Sequence, residues 1–263
     1  MKQKKSKKEF LFFKSINLLK TNPSSAGLMV LFDVLFLVSF FGLQNLFGYL
    51  SQSLAIPVTI ASFVIFIVFS LIYYLVILFA YSFFKYNILY YLKSLFKKTE
   101  FSFGRVGQFY SLNIIIAGIF FAIMLALNYV LINIKVTYQP YVFIIFATPY
   151  VLFLYVTTNI AHSLFYEGES IKDSLKKGFS ITFRKMRAYR EIILVIILSL
   201  LILWLFLYSS GYLLRLIVAK NYTSYLITYS YFKQITILVL DGVFYFIILI
   251  NRVSFYTIAK EIK

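Results

Sequence analysis

A few side chains in this 263-residue sequence are of the right type for chemistry and stand where a charge is expensive. Asp33, Asp241 and Arg252 each interrupt a long apolar run, and Arg215 closes another. A charged group in such a run faces a partner, lines an ion or substrate path, or snorkels to the nearest interface. Depth sorts them into pairs. Asp33 falls about five residues inside its run and Arg252 about seven residues inside the last run, which at about 1.5 Å per residue puts both about 8–10 Å deep on one side. Arg215 and Asp241 lie toward the other side. The expected pairs are Asp33 with Arg252 and Arg215 with Asp241, since removing one member would strand the other. One reading of these pairs is a path along the last helix. The other is structural glue between the first and the last two runs.

His162 follows Thr157, Thr158 and Asn159 near the end of the fourth run. With Asn159 it is a candidate polar relay; it also fits a hydrogen-bonded packing residue. Asn113, Asn128, Asn159 and Asn251 are expected to make interhelical hydrogen bonds. The chain has no cysteine and one histidine, which leaves no thiol chemistry, disulfide or multi-histidine metal site. It carries no H-E-x-x-H, no phosphate-binding Walker loop and no G-x-S-x-G. Asp241-Gly242 lacks the following acids that a metal-dependent headgroup transferase needs. Asp33 and Asp241 lie too far apart for an aspartyl dyad. No catalytic residue, metal or cofactor is therefore expected.

The elements that must hold these residues follow from composition. The chain is 62% hydrophobic and 13% charged, whereas a soluble domain is about half apolar and about a quarter charged. The expected fold is all-α, a polytopic integral membrane protein forming one membrane domain over 1–263. A span needs about 20 apolar residues, and six runs qualify, at about 28–50, 57–84, 107–133, 140–165, 192–214 and 234–259. Barrel strands are about half that length and alternate in polarity. Pro23, Pro57 and Pro140 sit at expected helix starts, where the missing N–H costs nothing. Pro149 falls inside the fourth run and is expected to kink it. The lysine-rich start is followed by no cleavage site before the first run and is not expected to be a signal peptide.

Net charge is +17. In a soluble protein that would point to nucleic acid; here the basic residues are segregated and read as topology. Lys135, Arg215, Lys220 and Lys233 fall on one side and Arg252 within a run. Every other lysine and arginine falls on the opposite side. It includes Lys2, Lys4, Lys5, Lys7, Lys8, Lys14 and Lys20, the 85–105 loop with Lys85, Lys93, Lys97, Lys98 and Arg105, the 172–190 loop, and Lys260 and Lys263. That side is expected to be cytoplasmic, with both termini there, in the cell membrane. The sequon Asn221-Tyr222-Thr223 falls on the outer side. Tyr222, Tyr225, Tyr229, Tyr231 and Phe232 cluster in the last outer loop, as an aromatic interfacial belt or a binding platform.

The inner segments share a texture. Phe12, Phe13, Ile16 and Leu19 form one side of an expected interfacial helix, with Lys7, Lys14 and Asn17 opposite. Ser94-Leu95-Phe96-Lys97-Lys98 and Ser174-Leu175-Lys176-Lys177 each precede a further basic amphipathic stretch. The expected plan is three hairpin units, over about 1–84, 85–166 and 167–263, each led by a basic interfacial helix. In this layout, and in Phe165-Tyr166-Glu167-Gly168 followed by Ser174-Leu175-Lys176-Lys177-Gly178-Phe179-Ser180, Arg184 and Arg187, the chain resembles the YciC-like and glycerophosphodiesterase-membrane-domain-like group. The resemblance implies a membrane domain of unknown activity and adds no catalytic residue.

The function these features point to is a non-enzymatic, membrane-organising or interaction protein. Its partners would be the lipid bilayer and anionic lipid headgroups, met by Lys97, Lys98, Lys176, Lys177, Arg184 and Arg187 at about 1 kcal/mol per charge. The alternative is a transport protein, such as the permease of an ATP-driven exporter, which would bring a cytoplasmic ATPase or another membrane protein as partner. A polar cavity would favour the alternative.

Overall fold

Long apolar runs free of helix breakers fold as helices, and the computed structural model contains, among the described residues, eight helices and no strand. It describes residues 10–52, 59–184, 186–218 and 222–262. Lys2, Lys4, Lys5, Lys7, Lys8, Pro57, Lys185, Lys220, the sequon residue Asn221 and Lys263 lie outside them. The helices are α1 (Leu11–Thr21), α2 (Pro23–Gln52), α3 (Ile60–Ser94), α4 (Gly104–Ile132), α5 (Gln139–Tyr166), α6 (Ile171–Arg184), α7 (Met186–Val218) and α8 (Tyr222–Ile262). Six of them, α2, α3, α4, α5, α7 and α8, are long and apolar enough to cross a bilayer.

Burial is concentrated at one end of these six helices. In α2 it covers Met29 and Asp33, in α3 Ser82 to Leu92, in α4 Val106 to Asn113. In α5 it runs mainly from Val156 to Tyr166, in α7 it reaches Tyr189 and Ile192, and in α8 it covers residues from Ile247 to Ala259. Tyr86, Phe109, Phe165, Ile250, Val253 and Tyr256 form the centre of that packed end. The other halves expose Val38, Phe41, Ile65, Leu125, Ile145, Trp204 and Leu238 among many large apolar side chains. Exposed apolar area of that extent matches a lipid-facing surface and far exceeds the patches of soluble monomers.

The two short helices close the packed end. α1 buries Ser15 and Leu19 and packs on α8, α7 and α2. Ser15 and Ser254 hydroxyls are 2.8 Å apart, and the Lys14 ammonium meets Glu261 at 2.9 Å. The first turn of α1 has no cap of its own; its Phe12 N–H donates to Glu191 of α7 at 3.1 Å, so an acid from another helix meets the positive helix end. Phe13, expected on the apolar side of the interfacial helix, is 59% exposed. The buried stripe is Phe12, Ser15, Ile16 and Leu19, at helical spacing, and Phe13 is a quarter-turn away.

α6 starts at a side-chain box in which Ser170 Oγ accepts from Asp173 N–H and donates to Asp173 Oδ2. It buries Ser174, Gly178, Ile181 and Thr182 at intervals of three and four, against α5. Gly178 permits the approach: a Cβ there would lie 3.2 Å from Ala161 Cβ and 3.4 Å from the Thr157 carbonyl oxygen. Thr157 Oγ1 donates to Thr182 Oγ1 at 3.1 Å across the contact. The apolar face of α6 is thus committed to protein.

Several boundaries differ from the sequence reading, the starts of α2 at Pro23 and of α7 at Met186 among them. α3 continues to Ser94, ten residues beyond Phe84, so Lys85 lies inside a helix and not in a loop. Residues 95–103 form turns and irregular chain, so the second unit has no separate basic helix. α8 begins at Tyr222, so Tyr225, Tyr229 and Phe232 lie on a helix; the first two rings stack at 5.7 Å, four residues apart. α5 remains helical through Pro149.

Candidate functional site

The packed end contains a buried polar cluster. Asp33 comes from α2, Tyr81, Ser82 and Lys85 from α3, Asn113 from α4, Tyr155, Asn159 and His162 from α5, and Tyr245, Asn251 and Arg252 from α8. Measured along the helices from their packed ends, Asp33, Lys85 and Arg252 lie about 13–15 Å in, at about 1.5 Å per residue.

The pair expected from depth is joined. Arg252 donates through both terminal nitrogens to Asp33, Nη1 to Oδ2 and Nη2 to Oδ1, the second at 3.0 Å. Tyr245 adds an O–H bond to Asp33 Oδ2 at 2.9 Å. The fork matches guanidinium to carboxylate geometrically and neutralises both charges. The other expected pair is not joined. Arg215 and Asp241 are both exposed, and no ion pair links them. Arg215 lies three residues from the end of α7, where a long side chain reaches a polar boundary without a partner, whereas Asp241 lies at the middle of α8 with no ion pair among the described residues.

His162 is fully buried. Its Nε2 lies 2.8 Å from Asn113 Oδ1, Asn113 Nδ2 donates to Ser82 Oγ at 3.0 Å, and Ser82 Oγ donates to the Leu78 carbonyl at 2.6 Å. With Asn113 accepting, His162 Nε2 is the donor and Nδ1 carries the lone pair, which has no hydrogen-bond partner. The chain ends on a backbone carbonyl and the ring packs on Phe109 at 4.7 Å, which makes this a line of interhelical bonds. Asn159 is not part of it; its Nδ2 donates to the Tyr155 carbonyl at 2.8 Å.

Sequence reasoning missed Lys85. It is 8% exposed, on the face of α3 that also buries Ile88, Leu89 and Leu92. It lines a cavity of about 350 Å³ with Tyr81, Tyr155, Thr158, Asn159 and Arg252. A lysine directly after an apolar run reads as the end of that run. The signal that it was not lay in the next turns, where residues at spacings of three, four and seven from Lys85 are all apolar.

A second missed group sits where α5 ends. Gly168 has φ 112°, a left-handed conformation that suits glycine. It closes a Schellman motif, with Gly168 N–H donating to the Phe165 carbonyl and Glu169 N–H to the Leu164 carbonyl. Helix-end carbonyls also take cations: Arg105 donates to Phe165 O at 2.9 Å and Lys93 to Tyr166 O at 3.1 Å. Glu167, turned inward, accepts from the Tyr256 hydroxyl and meets Lys97 at 3.2 Å and Lys93 at 3.9 Å. Burial pushes its carboxyl up, but the Tyr256 hydrogen bond and the two ammonium groups outweigh burial and hold it below the ordinary carboxylate value.

Of the residues expected to meet lipid, Lys97 pairs with Glu167 and Lys177 with Glu169 at 2.6 Å. Lys98, Lys176, Arg184 and Arg187 are exposed around the same end, with no ion pair among the described residues. Comparison of the chain with protein-family models, with curated proteins and with solved structures gives no match.

Proposed function

We propose that the chain is a six-span membrane protein in three hairpin units, its packed end and both termini on the cytoplasmic side. Its role is to bind and organise anionic lipid at that face without catalysis. The observation that carries the reading is the coincidence of two features at one end of the six apolar helices. Both buried core clusters are there, and so is the exposed basic set Lys98, Lys176, Arg184 and Arg187. Each such charge near an anionic surface contributes about 1 kcal/mol. The resemblance to YciC-like membrane domains is compatible with this layout.

The test is lipid enrichment around the protein in nanodiscs of phosphatidylcholine and phosphatidylglycerol in equal parts. Neutralising those four residues to glutamine should abolish the salt-sensitive excess of phosphatidylglycerol. An undiminished excess would refute the reading. The transport alternative is favoured by one observation, the cavity among α3, α5 and α8 that Lys85 and Arg252 line. Flux of a solute or lipid across proteoliposomes would establish it.

A further inference from the structure

The Lys85 ammonium lines its cavity without a counter-ion. No carboxylate lies within 4 Å of it among the described residues, and it makes no hydrogen bond there. Asp33 supplies the only acidic side chain of the cluster, and both of its oxygens are taken by Arg252, with Tyr245 adding a third bond. With Lys85 protonated, the cluster carries one excess positive charge. An unpaired ammonium in a low-dielectric interior is strongly unfavourable, and a bound anion relieves it.

The cavity lining combines a few polar side chains with a larger apolar part. Tyr81, Tyr155, Thr158 and Asn159, each with a hydroxyl or amide group, line the cavity with Lys85. The rim is apolar: Val151 is 49% exposed and Ile248 37% exposed, on the flank between α5 and α8. Its volume of about 350 Å³ falls within the range of small-molecule pockets, about 300–1,000 Å³. An inorganic anion would leave the apolar rim unused, whereas a molecule with an acidic head and an apolar tail uses both.

We propose that the cavity between α3, α5 and α8 binds one anionic amphiphile, its phosphate or carboxylate head paired with Lys85 and its tail leaving past Val151 and Ile248. This site is separate from the exposed basic ring, although entry from the flank rests on the six helices crossing a bilayer.

Native mass spectrometry of the protein released from the mixed phosphatidylglycerol nanodiscs tests it. The wild type should retain one phosphatidylglycerol at salt that strips the surface-bound lipid, because a buried pair is screened little. Lys85→Met should lower that retention about tenfold or more, as loss of a charge-assisted bond does. Lys85→Met, which removes the unpaired ammonium, should be at least as stable as the wild type to heat in pure phosphatidylcholine. Ile248→Trp, which fills the mouth and removes no charge, should abolish retention, and it stands as the test if Lys85→Met does not fold. Neutralising Lys98, Lys176, Arg184 and Arg187 should leave the retained lipid in place. Equal retention by wild type, Lys85→Met and Ile248→Trp would overturn the proposal. Protection of the wild type by inorganic phosphate as strong as by phosphatidylglycerol would overturn the amphiphile and leave a free-anion site. A protein that never enters nanodiscs and dissolves without detergent would instead refute the membrane reading.

Discussion

The Asp33–Arg252 pair allows a worked prediction. Asp33 and Arg252 side chains are 12% and 15% exposed, and the carboxylate receives two guanidinium bonds and one tyrosine hydroxyl bond. Replacing Asp33 with Ala leaves Arg252 buried and uncompensated, at a cost of about 3–5 kcal/mol. Arg252→Met leaves the converse carboxylate and should cost about the same. At about 2–4 °C per kcal/mol for a chain of this size, each should lower the melting temperature in detergent by about 10 °C. The double substitution removes both charges together. A buried pair replaced by apolar groups is often neutral, so the double variant should be more stable than either single one, with a coupling of about 2 kcal/mol or more. Intramembrane hydrogen bonds measured this way average well under that figure, which makes the charged fork the discriminating feature. Strictly additive effects of the two substitutions would refute the pairing argument.

Two further perturbations follow from the packed end. Gly178→Leu places a side chain where a Cβ already meets Ala161 at 3.2 Å and backbone at 3.4 Å, and should cost about 1–3 kcal/mol in thermal unfolding. Gly118→Leu, with nothing within 4 Å, is the control and should not destabilise. Glu167 is more acidic in the folded chain than when unfolded. Its stabilising contribution is complete above the ordinary carboxylate value and is lost as pH falls through the lowered folded value. Glu167→Gln should therefore destabilise the protein near neutral pH by about 1–3 kcal/mol and flatten the acid limb of its stability profile. An unchanged acid limb would place the acid sensitivity elsewhere.

Legibility in the sequence followed the physics of each feature. The six long helices were readable because hydrocarbon thickness fixes a run length that few other structures share. Asp33 and Arg252 were readable because a charge inside such a run has few ways to be satisfied, and depth narrows the partners. The same logic misplaced Arg215 and Asp241. Depth says nothing about which face of the helix a side chain occupies, and both are exposed. Lys85 was misread because a charge at the edge of an apolar run marks a boundary in most chains. Here α3 continues because Tyr86, Leu89 and Leu92 pack into the core. The tyrosines after Tyr222 look like loop by polarity, yet a helix carries them at its exposed end. Glu167 and Gly168 stood in a segment noted only for resemblance. The role of Glu167 depends on partners far along the chain, Lys93, Lys97 and Tyr256, which local pattern cannot reveal.

The absence of cysteine makes the central claim directly measurable. Single cysteines at Lys98, Lys177 and Val136, all exposed positions, can be labelled in intact cells with a membrane-impermeant maleimide. Val136→Cys, between α4 and α5, should react from outside; Lys98→Cys and Lys177→Cys should react only after permeabilisation. Labelling of all three in intact cells, or of Lys98→Cys and Lys177→Cys from opposite sides, would contradict a six-span protein with its packed basic end facing the cytoplasm.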